Sequence, residues 1–221
     1  MGDINTIQEQ LTENEIPLGD CTFLYLDVSS TCTGYVVTGL DFLKKKAYIK
    51  SAGVIWFNPK WTHQEKYHYL FSAIVNYFWI VENVDYIVHE SYAINTNQKQ
   101  GIMVVPEMIG SVKVAAWENG VRVDDIPPQT WRSQLGIKPN IIQKPGQKAK
   151  REYKLPTKIY VEKFMDVPET SISNITNKER KTPSDLYDAV GVCLGWLKKY
   201  GFKINKPRDY KFNNHIGIVD G

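Results

Sequence analysis

The sequence predicts an α/β protein built on one mixed five-stranded sheet: an antiparallel meander, then α/β units, with helices on both faces. Three observations lead there. Three strand-like runs near the start are joined by links too short for a crossover, so they pair antiparallel. Helical and strand patterns alternate after them, which places helices against the sheet. The chain has 221 residues, 43% of them hydrophobic, enough for one sizeable core.

In order, residues 1–20 read as a polar N-terminal extension. The core domain spans 21–203, and 204–221 form a C-terminal tail without clear period. The first strand is the apolar, aromatic run "CTFLYLDV". "GYVVTGL" and "KAYIKSAGVIWF" follow, separated by the turn-like "STCTG" and "DFLKK". In the next segment Tyr67, Leu70, Phe71, Ile74, Phe78 and Val81 recur at steps of three and four, which predicts a helix with those residues inward. "VDYIVHE" is the fourth strand, and "GIMVVPEMIGSVKVAAWENG" a helix with Pro106 near its start. "VRVDDIPP" is the fifth strand, ended by two prolines, and "PQTWRSQLG" a short helix ended by Gly136. A basic loop at about 137–154, a helix around "LPTKIYVEKFMD" and a polar loop precede the last helix, "TPSDLYDAVGVCLGWLKKYG". Leu186, Ala189, Val190, Cys193, Leu197 and Tyr200 make its apolar face.

Composition excludes several classes. The net charge of +3 permits an anionic partner without demanding one. Three cysteines, Cys21, Cys32 and Cys193, show no CxxC spacing, so neither a disulfide framework nor structural zinc is expected. The N-terminus lacks the pattern of a signal peptide, and no apolar run approaches the ~18 residues of a membrane span. A cytoplasmic location is expected, with no membrane partner.

Four acids carry the chemistry. Asp27 ends the first strand and Glu90 the fourth. His89, on the opposite face of its strand, reads as structural. On the last helix Thr182 reads as N-cap and Pro183 as the first helical residue, which makes Asp185 part of a near capping box. Asp188 is not needed for capping and lies one turn on, on the same face. Brought together, four carboxylates repel unless a cation joins them. An oxygen-only donor set suits Mg²⁺, with Mn²⁺ as a substitute. Two such ions about 3.5–4 Å apart activate water for phosphodiester hydrolysis.

"YLDVSSTCTGYVV", "IVHES" and "PSDLYDAVGVCLG" resemble, in order, the motifs of RuvC-type Holliday junction resolvases, which have the ribonuclease H-like fold. The resemblance implies that Asp27, Glu90, Asp185 and Asp188 are catalytic and hold two Mg²⁺ ions. It implies a homodimer that nicks four-way DNA junctions symmetrically, with water as nucleophile. The loop after Glu90 resembles the family's loop into a helix along the DNA and the dimer partner. Where many members place an aromatic, three residues past the Glu, this chain has Ala93, with Tyr92 one before it as the candidate for stacking on a base. The extension, the longer basic loop and the tail exceed a compact bacterial member and fit a phage-type one, acting in the host cytoplasm.

From Lys138 to Lys163 there are eight basic residues against two acids. Lys144, Lys148, Lys150, Arg151, Lys154 and Lys158, with Arg132 in the short helix before them, are the candidate DNA contacts, suited to phosphate rather than to base reading. Other readings are a nuclease for other branched or flap DNA, a junction binder with a degenerate site, and an actin-like phosphotransferase. The last needs a second phosphate loop, which the chain lacks.

Overall fold

The structure is a computed structural model that describes residues 20–92, 104–143, 145, 146, 148–173, 175, 176, 178–205 and 210–213. The N-terminal extension up to residue 19, Ala93, Lys144 and most of the tail lie outside the described residues.

Strands β1 (Asp20–Val28), β2 (Cys32–Asp41) and β3 (Lys46–Trp56) form the meander. Ser29 closes the first turn, its hydroxyl donating to the Cys32 carbonyl at 2.8 Å. Asp41 closes the second by accepting from the Lys44 amide at 2.9 Å. Helix α1 (His63–Ser72) starts with a capping box. Thr62 Oγ1 accepts from the Glu65 amide, and the Glu65 carboxylate accepts from the Thr62 amide. It continues as a π-helix over Ala73–Trp79. Then come β4 (Tyr86–Glu90), α2 (Val104–Glu118), β5 (Arg122–Ile126) and α3 (Pro128–Leu135). Helix α3 has Pro128 in its first turn and ends on Gly136 at φ 71°, a left-handed position that glycine takes without strain. Beyond it lie hairpin β6 (Asn140–Ile142) with β7 (Lys150–Glu152), helix α4 (Lys154–Phe164), and hairpin β8 (Thr170–Ile172) with β9 (Glu179–Lys181). Helix α5 (Ser184–Lys199) and the short strands β10 (Lys203–Ile204) and β11 (Lys211–Asn213) complete the described chain.

The main sheet runs β10-β3-β2-β1-β4-β5, with β11 also paired to β3. β1, β2 and β3 pair antiparallel, while β4 lies parallel to β1 and β5 parallel to β4. The five expected strands are present in the expected sense. Two more, β10 and β11, come from the chain after α5 and pair parallel with β3.

Alternation along the strands divides the core. Phe23, Tyr25, Tyr86 and Val88 face α5, α3 and α4, whereas Leu24, Leu26 and Ile87 face α1 and α2. Asp27 and Glu90 continue the first series, so both point to the α5 side.

Three expectations change. Val81 is 65% exposed rather than inward. The π-helix carries i to i−5 bonds, such as Ile80 N–H to Val75 O at 3.3 Å, and the wider turn rotates Val81 off the buried face. The basic loop and the polar loop each contain a hairpin, whose three-residue strands are too short to give a period. Thr182 does not cap α5. Its hydroxyl donates to the Pro168 carbonyl at 2.5 Å, and the N-cap position falls to Pro183 with no side-chain bond. The inward face of α5 is as expected: Leu186, Ala189, Val190, Cys193, Leu197 and Tyr200 are all buried. All three cysteines are buried.

Candidate active site

Strand register puts the first two acids side by side. Leu26 pairs with His89 across parallel β1 and β4, so Asp27 and Glu90 are the next residues on neighbouring strands. Helix α5 supplies the other two. Its start lies against β2 at Gly34, the register partner of Asp27. A Cβ on Gly34 would fall 2.1 Å from the Asp185 carbonyl oxygen, so only glycine lets the helix come this close. That approach sets Asp185 beside Asp27, and Asp188 follows one turn later.

Mutual electrostatics show that the four carboxyls converge. Burial, and then the Glu90, Asp188 and Asp185 carboxylates, push Asp27 well above the usual carboxyl range, against the pull of Arg132. Burial raises Glu90, opposed by its hydrogen bond from Trp131 and by Arg132. Asp188 is pushed up to about 7, first by burial and then by Glu90, while Arg132 and Lys154 work against the shift. Cys32, behind Asp185, has its thiol raised by burial and by that carboxylate.

Helix α3 closes the site. Trp131 is fully buried and its indole N–H donates to Glu90 Oε1 at 2.8 Å. It can sit there because α5 presents Gly191 and Gly195, where a Cβ would come within 2.5 Å of the Trp131 side chain. Next to it the Arg132 guanidinium lies 3.7 Å from Glu90 Oε1 and 3.8 Å from Asp188 Oδ1. Arg132 is also over the rings of Trp131, at 4.5 Å, and Tyr153, at 4.7 Å. Arg132, expected to touch DNA, is therefore inside the acidic site. Trp131 and Tyr153 were not singled out by the sequence reading. The signal for Trp131 was present in the pair of glycines four apart on α5, which implies a large neighbour.

The other expected residues are spread more widely. Lys148, Lys150, Arg151 and Lys154 are exposed on and after the β6–β7 hairpin. Lys154 is near enough to influence Asp188. Lys158 pairs with Glu162 at 3.4 Å. Tyr92 is partly buried against the α1–α2 side of the core. His89 is buried on that side too, its Nδ1 2.9 Å from the Glu90 carbonyl oxygen.

The donor set fits a hard divalent cation: carboxylate oxygens only, gathered in a half-buried site where burial and neighbouring carboxylates raise Asp27, Glu90 and Asp188. They do not form a closed cage. Among the described residues no three His, Cys, Asp or Glu side chains are arranged to hold an ion. The guanidinium of Arg132 lies between two of the acids instead.

No protein-family model and no curated protein matches the sequence. Solved structures do. Thermus thermophilus RuvC in complex with a Holliday junction substrate superposes with a TM-score of 0.52 at 18% identity, over 79% of this chain and 91% of that one. A further Thermus thermophilus RuvC structure gives 0.53 at 19%, over 79% and 92%. The yeast mitochondrial Holliday junction resolvase gives 0.50 at 12%, over 90% and 86%. The chain thus has the ribonuclease H-like fold of RuvC, the fold that the order of its acidic motifs implies.

Proposed function

We propose that the protein is a divalent-metal-dependent endonuclease that resolves four-way DNA junctions. The observation that carries this reading is the convergence of Asp27, Glu90, Asp185 and Asp188 at the C-terminal ends of β1 and β4, in a chain with the fold of RuvC. Two similar structures, Thermus thermophilus RuvC with a Holliday junction substrate and the yeast mitochondrial resolvase, bear on the substrate class.

Asp27, Glu90, Asp185 and Asp188 would hold two Mg²⁺ or Mn²⁺ ions. Bound there, such ions polarise the scissile phosphate and lower the pKa of water. The chain's own groups prepare the site. Trp131 fixes the orientation of Glu90 through its N–H. Burial and Glu90 push Asp188 up to about 7, so a cation bound there would favour its charged form and draw off its proton. Lys154 is near enough to Asp188 to act on its charge, and the exposed Lys148, Lys150 and Arg151 on the hairpin before it suit phosphate contact.

In the proposed assembly two copies act on one junction, since two symmetric nicks match a two-fold protein. The exposed Val114 and Trp117 on α2 offer an apolar face for the second copy.

The test is cleavage of a synthetic four-way junction with mapped nick positions. Cutting is expected with Mg²⁺ or Mn²⁺ and absent with Ca²⁺. Asp188→Asn should bind the junction and leave it intact; undiminished cutting by that variant overturns the assignment of the acids.

A further inference from the structure

Arg132 is an unusual tenant for an acidic site. Its guanidinium is within ion-pair distance of both Glu90 and Asp188, at 3.7 and 3.8 Å, yet beyond hydrogen-bond length from either. The side chain is only 19% exposed, and Glu90 and Asp188 are 19% and 14% exposed, so solvent screens these charges weakly. Two aromatic rings hold the guanidinium in place. Its Nε–H is buried without a hydrogen-bond partner among the described residues. The group is thus kept by stacking and charge, with no directional bond to break. Such a cation can be exchanged for another.

We propose that Arg132 is the internal counter-cation of this site: it holds Glu90 and Asp188 together in the metal-free protein and gives them up as divalent ions bind. This rests on the metal-site reading above and adds a competitor to it. Without a resident positive charge, four carboxyls crowded at the C-terminal ends of β1 and β4 would drive the start of α5 away from those strands. With one, the fold is complete before metal arrives. The same charge then opposes loading, because guanidinium and metal ion draw on the same two carboxylates. Arg132 is a positioning residue in this account.

The test uses Ca²⁺ binding by calorimetry and metal-free thermal melting of the full chain, with Arg132→Met and Arg132→Lys. Arg132→Met should melt lower without metal, and should bind Ca²⁺ about 5- to 150-fold more tightly, the usual span of coupled equilibria. Arg132→Lys keeps the charge and should fall close to the wild type in both. Unchanged Ca²⁺ affinity in Arg132→Met overturns the proposal, as does weaker binding. An Arg132→Met chain that folds only with Ca²⁺ supports it. Should that chain not fold at all, the wild type decides. The Nε–H NMR signal of Arg132, assigned with Arg132→Lys, should shift and exchange faster with water as saturating Mg²⁺ frees the side chain. An unmoved signal in metal-loaded protein overturns the proposal. A wild type that binds no Ca²⁺ overturns the metal-site reading itself, which is a separate result from bound Ca²⁺ with no effect of Arg132.

Discussion

Helices α5 and α2 lie on opposite faces of one sheet and meet their surroundings differently. From Leu186 to Leu197 every residue of α5 is buried except Asp188, which is half-buried. Helix α2 buries one stripe, including Met108, Val112 and Ala115, and leaves Val114 49% and Trp117 80% exposed. Both helices are apolar, but only α5 is enclosed, by the sheet on one side and α3 and α4 on the other. Enclosure is what makes its acids unusual. A carboxyl at the start of an exposed helix is solvated, whereas here burial raises Asp188 to about 7. The α5 side therefore combines crowded charge with enclosure, whereas α2 packs an apolar stripe on the sheet and leaves its outer face open.

The largest test of that contrast is Asp27→Asn. The proposed junction cutting should fall by at least about 100-fold, as for loss of a principal electrostatic group in enzymes. Metal-free melting should rise, because one repelling carboxylate is gone. A drop in melting temperature would show that Asp27 is held by a partner rather than crowded. Next is Gly191→Val, which sets a side chain against Trp131 and should cost about 1–3 kcal/mol by overpacking, read by denaturant unfolding. A neutral result would mean that α3 is free to move away from α5.

The third test is pH. Asp188 has a folded pKa raised to about 7, so between its unfolded value and about 7 the folded chain binds more protons than the unfolded one. The stability of the metal-free protein should fall as pH rises through that window, and Ca²⁺ should remove the decline. A rise across the window would contradict the crowded-acid account. The smallest effect is expected on the other helix. Trp117→Ser should change folding stability by less than about 0.5 kcal/mol. If α2 is the face used by a second copy, the same variant lowers the apparent mass in sedimentation while leaving the fold intact.

Much of this was legible in the sequence because it depends on period and order. The strand runs ending at Asp27 and Glu90 fix which residues stand at the strand ends, and the i, i+3 spacing fixes Asp185 and Asp188 to one helix face. Two kinds of feature were hidden. Strands of three residues, as in β6 to β9, carry no periodic signal. The direction in which α3 turns is a tertiary fact, so Arg132 looked like one more basic residue beside a basic stretch. Thr182 misled for a related reason: its local pattern fits an N-cap, but the Pro168 carbonyl, brought near by the β8–β9 hairpin, takes its hydroxyl.

The strands β10 and β11 have a consequence for the behaviour of the protein in solution. Lys203 and Ile204 cover β3 at Lys46 and Ala47, and Lys211 to Asn213 cover it from Ser51 to Gly53. Together they occupy a border of the sheet that would otherwise offer open amides and carbonyls to any passing strand. A chain shortened to end at Tyr200 would keep all four acids and the whole of α5. It would also bare that border, and self-association through β3 would limit its solubility before its chemistry was affected.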